Sequence, residues 1–291
     1  MPFRAVVRDV ARWRAHGIPA CARAAELSDA DALRLALDGA SIIVCCAHAR
    51  HAPAVMAAAP GEAVFVFLGS TRRFSRWRDA HGDGVRAAEE AFLAAGRPGV
   101  MLHPTMIYGA EGEDNVQRLA ALLRRLRVAP LPGGGRALVQ PIHQDDLTRC
   151  ILAAIGRRWT APEALVVAGP RAVPYRDFTL AVAAAAGLPA PPIVPLPAPI
   201  LLAAAPLTRF LPFVPRIRVA EVRRLLEDKA FDVTPMRDAL GVTGMTLEEG
   251  LARTFRPVPR EPAWMLAPGR GWTQTTGLRV EVPHADRQPH R

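Results

Sequence analysis

Lysine is nearly missing from this sequence: of 37 basic residues, only Lys229 is not an arginine. Tyrosine occurs twice, as Tyr108 and Tyr175, and cysteine four times. Cys45 and Cys46 are adjacent in an apolar run, Cys21 and Cys150 stand apart, and no CxxC or His-Cys spacing occurs. That excludes the usual thiolate metal sites and predicts buried free thiols. Long apolar runs are missing too. The longest, Ala198 to Ala205, falls far short of the roughly 20 residues a bilayer requires, so no integral membrane segment is expected. The opening Met1-Pro2-Phe3-Arg4 has no apolar signal core, and a cytoplasmic protein is expected. The net charge of +10 is large, but the arginines never run longer than pairs such as Arg124-Arg125. A nucleic-acid binder concentrates its cations on one face; this scatter predicts no nucleic-acid partner and suits a phosphate-bearing ligand.

What is present is alternation. Residues 3–8 read as a short buried strand and 18–25 as a weaker one. Ser28 is a good N-cap for a following helix, with Asp29 and Asp31 suiting its positive end. The apolar runs 41–46 and 63–68 have strand length and no polar alternation, the pattern of strands buried on both faces of a parallel sheet. A helix from about Gly84 to Ala95 stops at Gly96, and Gly99 to Leu102 is a further strand. Strands alternating with helices predict an α/β fold with a doubly wound parallel sheet. Helices follow over 115–127, 145–156 and 175–187, with a strand over 164–168. Thr246-Leu-Glu-Glu249 is a capping box for a last helix. The expected division is a Rossmann-like portion 1–110, a smaller C-terminal substrate lobe 111–256, and a disordered tail 257–291.

Several segments resemble the extended or atypical short-chain dehydrogenase/reductase superfamily, in particular its NAD-dependent epimerase/dehydratase group. Val6-Val7-Arg8-Asp9 looks like the end of the family's second strand, and Glu26-Leu27-Ser28-Asp29 like its turn after the third. Val44-Cys45-Cys46-Ala47 looks like the fourth strand, and Phe67-Leu68-Gly69-Ser70 like the fifth, ending at the active-site serine. His103-Pro-Thr-Met-Ile-Tyr-Gly109 looks like the segment after the sixth, and Val139 to Asp146 like the stretch opening the substrate lobe. The resemblance covers about residues 3 to 255.

It implies a cofactor, NADP or NAD, and an oxidoreductase or epimerase acting on a small or nucleotide-linked substrate. Arg8 would accept a ribose 2′-phosphate, which favours NADP, since a guanidinium fork matches phosphate oxygens. Glu26 would accept the adenine amino hydrogen, Leu27 would cover the ring, and Ala47 would let the cofactor pass. Pro104 and Thr105 would border the nicotinamide. Ser70, four residues before Phe74, would hold a substrate oxygen, and His103, standing where the family has Arg, would serve as acid or base. The bland readings are a surface Arg, a solvated Glu, core Leu and Ala, a turn serine and a packed histidine.

Two departures stand against that activity. The family's hydride chemistry uses Tyr-x-x-x-Lys, and with Tyr108, Tyr175 and Lys229 alone the motif cannot occur. At its expected place stands His81-Gly-Asp-Gly-Val-Arg86; His81 is a partial substitute, whereas arginine keeps its proton. The sequence also starts at what looks like the second strand, without the first strand and its Gly-x-x-Gly-x-x-Gly turn for the pyrophosphate. Either a longer native chain or a repurposed copy accounts for that, and a hole is expected beside strands 3–8 and 41–46. The alternatives to an enzyme are a non-catalytic NADP-sensing or scaffold protein, a truncated inactive copy, or a peripheral subunit docked by the Pro-rich stretch 191–215.

Overall fold

The computed structural model describes residues 3–17, 21–109, 115–205, 207 and 219–256. The expected tail 257–291, the start of the strand at 18–20, and most of 206–218 lie outside the described residues. The first part of the chain runs β1 (Arg4–Val7), α1 (Val10–Ala15), β2 (Cys21–Ala24), α2 (Ala30–Leu37), β3 (Ile42–Cys45), α3 (Ala52–Ala58), β4 (Val64–Leu68), α4 (Ala80–Ala95) and β5 (Gly99–Pro104). There follow β6 (Ile107–Tyr108), α5 (Val116–Leu126), β7 (Ala129–Pro132), β8 (Leu138–Val139), β9 (Ile142–His143), α6 (Gln144–Gly156) and β10 (Pro162–Val167). The rest is β11 (Val173–Pro174), α7 (Tyr175–Ala185), β12 (Ile193–Leu196), α8 (Ala198–Ala204), α9 (Val219–Arg224), α10 (Thr234–Leu240) and α11 (Leu247–Phe255).

The main sheet has the order β10-β5-β4-β3 and is parallel throughout. Strand side chains alternate faces, and β4 shows it plainly. Phe65 and Phe67 join Leu33, Val55, Met56, Val85 and Phe92 of α2, α3 and α4 in one core. Val66, with Val100 and Leu102 of β5, joins Leu147, Cys150, Met236 and Leu240 of α6 and α10 in another. Phe67 and Phe92 meet edge to face with centroids 5.2 Å apart, the arrangement an aromatic quadrupole favours. Helices on both faces of a parallel sheet make this a Rossmann-like α/β fold. A third core, with Tyr108, Val116, Phe178, Val182 and Leu251, holds the later helices together.

The sheet is in two pieces. Strands β1 and β2 pair in parallel with each other, and among the described residues β1 has no other strand partner and β3 pairs only with β4. Side chains bridge the two pieces instead. Val6 and Leu27 pack on the core that holds Ile43, and Arg4 donates to the Asp38 carbonyl at 3.1 Å. Two expectations are corrected here. Residues 3–8 and 41–46 are not buried strands: β1 is exposed at Arg4 and half-buried beyond it, and Val44 is 38% exposed. Among the described residues, neither strand has a neighbour on its second edge to complete its cover.

Smaller corrections have local causes. The cap of α2 is Asp29, whose side chain accepts the Ala32 N–H, rather than Ser28. Helix α4 begins at Ala80 and not Gly84, capped by Asp79 on the Gly82 N–H at 2.8 Å. Glycines inside a helix cost about 1 kcal/mol each, which hides this turn in the sequence. They serve close approach: a Cβ on Gly82 would sit 2.7 Å from the Arg72 carbonyl, and one on Gly84 3.2 Å from the His48 ring. Of the four cysteines, all free, only Cys150 is buried. The Thr246–Glu249 capping box forms as read, with reciprocal bonds of 2.9 and 3.2 Å. Within the Pro-rich stretch, β12 pairs in parallel with β7. Among the described residues no helix is long and apolar enough to cross a membrane.

Gly99 gives the sharpest test of this packing. It opens β5 at φ +146, and a Cβ there would lie 2.1 Å from the Phe65 carbonyl. Gly99→Ala is expected to lower unfolding free energy by at least about 3 kcal/mol, from strain plus displaced strand pairing. Urea unfolding followed by circular dichroism checks it; an unchanged midpoint contradicts this account of the β4–β5 contact.

Candidate functional site

The carboxyl ends of β3, β4, β5 and β10 open on one side of the sheet, where ligands of such folds bind. Ser70 leaves β4 with extended backbone and begins a single 3-10 turn, Thr71–Phe74. Its hydroxyl accepts the Arg72 N–H at 3.2 Å, and its own N–H donates to His103 Nδ1 at 3.2 Å. Thr71 donates its hydroxyl to the Pro104 carbonyl at 3.2 Å, tying this turn to β5. Ser70 is half-buried and its hydroxyl proton is directed by no acceptor among the described residues.

His103 is 1% exposed. Nδ1 is an acceptor here, so the ring proton sits on Nε2, which lies 2.7 Å from Glu89 Oε2. Arg73 Nε lies 2.7 Å from the same oxygen. Neither contact is linear enough to be a hydrogen bond, so the three hold together as a compact charge cluster, with the Arg73 guanidinium also 4.6 Å over the Phe74 ring. His103 Nδ1 is thus hydrogen-bonded inside the protein, while Nε2 faces Glu89 without a hydrogen bond.

A second pair of histidines was not singled out together by the sequence. His48 follows β3 and His81 lies in the first turn of α4; their rings meet edge to face with centroids 4.3 Å apart. His48 Nδ1 accepts the Arg50 N–H at 3.0 Å. Burial holds both imidazoles below their ordinary range, and the Arg72 guanidinium pushes the same way. Both are therefore neutral near pH 7. Arg72 is itself ion-paired with Asp79. Spatial pairing of His48 with His81 leaves no linear motif, because the residues come from different crossovers.

The cofactor residues expected from the sequence lie at or just past strand ends. Arg8 follows β1 and is exposed, as is Glu26, while Leu27 packs on the first core and Ala47 follows β3, half-buried. Pro104 ends β5. Thr105 is 8% exposed and its hydroxyl has no hydrogen-bond partner, an orphan that a polar ligand group would satisfy. The described residues include no glycine-rich turn between a strand and a helix at this edge. Among the residues expected to meet a dinucleotide, Thr105 is the one with a buried polar side-chain atom left unsatisfied.

Neither tyrosine stands where the family resemblance places its catalytic one. Tyr108 is 1% exposed, with its ring 5.3 Å from that of His143, and burial raises its phenol well above the ordinary range. Tyr175 lines a cavity of about 270 Å³ together with Asn115, Arg118, Arg224, Glu227 and Lys229. Glu227, in turn, accepts from Ser75 Oγ at 2.9 Å and from the Arg76 N–H at 2.9 Å, fastening the loop after Phe74 beside this cavity. The ring contact of Phe74 with Phe231, at 5.7 Å, does the same.

Removing the Glu89 carboxylate leaves the half-buried Arg73 guanidinium without its counter-charge and the buried His103 ring without its carboxylate neighbour. Glu89→Ala is expected to cost about 2 kcal/mol, because a largely desolvated charge without its partner is costly, and Glu89→Gln less. Equal, small losses for both variants in chemical denaturation contradict the cluster's role.

No family model matches the chain, and no curated protein matches it either. Solved structures do. An NADPH-dependent quinone oxidoreductase from Escherichia coli, complexed with NADPH, aligns with a TM-score of 0.66 at 16% identity, covering 87% of this chain and 90% of its own. A nucleoside-diphosphate-sugar epimerase from Pseudomonas aeruginosa aligns at 0.64 and 18% identity, covering 87% of each chain. A dTDP-glucose 4,6-dehydratase from Streptomyces venezuelae, solved with NAD bound, aligns at 0.64 and 14% identity, covering 88% of this chain and 86% of its own. At such identities the likeness is one of architecture: the chain has the Rossmann-like α/β fold that these reductase, epimerase and dehydratase structures share.

Proposed function

We propose that the chain binds a nicotinamide dinucleotide and acts on a small or nucleotide-linked substrate as an epimerase- or reductase-like protein. The observation that carries this reading is the gathering of Ser70, the neutral His48–His81 pair, Arg72 and the orphaned Thr105 hydroxyl at the carboxyl edge of the parallel sheet. In this reading, residues 1–110 supply the dinucleotide portion and 111–256 the substrate lobe. Pro104 and Thr105 border the nicotinamide, Ala47 allows close passage, and Glu26 and Leu27 lie at the adenine. Arg8 favours NADP over NAD by meeting a 2′-phosphate. The dinucleotide supplies the hydride carrier.

The chain's own residues then divide the remaining work. Ser70 holds a substrate oxygen through its hydroxyl. His81, neutral and half-buried in the first turn of α4, takes or returns the substrate proton in place of the missing Tyr-Lys pair, since a base works best when unprotonated at the working pH. His103 is a positioning residue: its bond from the Ser70 N–H fixes the turn that carries the hydroxyl.

A second reading has its own support. The sheet is in two pieces and the described residues offer no glycine turn, which favours a scaffold that keeps the fold without the cofactor. Calorimetric titration of the chain with NADPH and NADH decides between them. Binding of NADPH about tenfold tighter than NADH, with the preference lost in Arg8→Ala, supports the first reading; tenfold corresponds to about 1.4 kcal/mol. No heat with either dinucleotide overturns it in favour of the scaffold.

A further inference from the structure

Everywhere but one position this chain writes its cations as arginine. A guanidinium keeps its proton at any working pH, so arginine fills no role that requires a neutral nitrogen. The exception, Lys229, is placed where such a role is available. Its backbone N–H donates to the Leu138 carbonyl at 2.9 Å, next to the Ala137 carbonyl that accepts the Tyr175 N–H at 2.9 Å. Two neighbouring carbonyls thereby bring the sole lysine and one of the two tyrosines, far apart in sequence, onto one cavity.

The cavity, about 270 Å³, is just below the roughly 300–1,000 Å³ of drug-sized sites and suits a smaller molecule. Its described lining carries Arg118, Arg224 and Lys229 against one carboxylate, Glu227. That carboxylate is engaged from outside, by Ser75 Oγ and by the Arg76 and Trp77 N–H groups. Lys229 Nζ donates to the Arg224 carbonyl at 2.9 Å, which holds the amine at the cavity wall. Burial lowers the amine to about 8; Glu227 opposes the shift, and Arg224 and Arg72 add to it. A desolvated lysine among cations is the arrangement that activates an amine as a nucleophile.

We infer that Lys229 is a reactive amine in a cavity for a small anionic carbonyl compound, which it captures reversibly as an imine. The Nζ lone pair adds to the carbonyl carbon while the carbonyl oxygen takes up the proton leaving nitrogen. That oxygen then departs with a second proton as water and the C=N bond forms; water reverses both steps, with no net oxidation. Arg118 and Arg224 hold the anionic end. The inference does not rest on dinucleotide binding.

The test uses the full chain with no dinucleotide and pyridoxal 5′-phosphate, an aldehyde carrying a phosphate, as the probe. Borohydride reduces any imine to a stable amine, and peptide mass spectrometry locates it. With one lysine in the chain, the α-amino group is the internal reference. Lys229 is expected to be modified about tenfold faster than that group, through proximity in a bound complex. The rate should rise with pH through about 8, fall on adding inorganic phosphate, and be slow with pyridoxal lacking the phosphate. Lys229→Arg should lose the internal adduct and keep the terminal one. Modification confined to the α-amino group overturns the inference. So does modification of Lys229 that pyridoxal matches and phosphate does not slow. The wild-type rates decide the matter even where the variant does not fold.

Discussion

Everything else in the molecule depends on β4 being covered on four sides. Its edges pair with β3 and β5, and its faces carry Phe65 and Phe67 one way and Val66 the other. Each fully buried aromatic or aliphatic side chain there contributes about 1.5–3 kcal/mol, and the strand cannot slip by one residue without exchanging its two faces. That fixed register puts Gly69 and Ser70 at the carboxyl edge, and the 3-10 turn after them carries Arg72 and Arg73 to opposite tasks. Arg73 goes inward to Glu89, and Arg72 goes to Asp79 at the cap of α4. Core packing and site geometry are one constraint.

The same reasoning explains why the fold tolerates a divided sheet. A parallel strand gains from pairing on each edge, and β1 and β3 each lack a partner on one side among the described residues. What holds β1 and β2 to the rest is α2, whose carbonyls near its C-terminal end accept from Arg4 and Arg23. Charge-assisted bonds to the C-terminal carbonyls of a helix also suit its dipole. The result is a flank tied on by side chains, with less apolar cover than a strand inside a sheet, and it is the flank on which Arg8, Glu26 and Leu27 sit. The opposite edge, β5 and β10, is continuous, and there Pro104 and Thr105 are buried.

The sequence was informative wherever one element decides the outcome by itself. Runs such as 63–68 have no polar alternation, so their burial between helices was readable, and the Thr246–Glu249 cap formed as read because all its atoms lie within one turn. It was uninformative where the deciding neighbour is remote. Val44 sits in as apolar a run as Phe65, yet it is 38% exposed, because the missing edge partner is invisible in the run itself. The sequence pattern starts that helix only near Gly84, a turn late, and only the Arg72 carbonyl and His48 ring explain the glycines at 82 and 84. Of the residues resembling a known site, Ser70 and His103 come together in one hydrogen bond. The pairing of His48 with His81, and of Tyr175 with Lys229 on one cavity, joins residues from separate crossovers and leaves no spacing to read.

Arg72 connects these groups. Its charge acts in the same direction, after burial, on His48, His81 and Lys229, so one guanidinium helps to keep three nitrogen bases short of a proton. Asp79 offsets part of that charge while capping α4. An anion bound beside Arg72 would offset more of it, and the three bases would then hold protons more tightly. The sign follows from Coulomb's law alone.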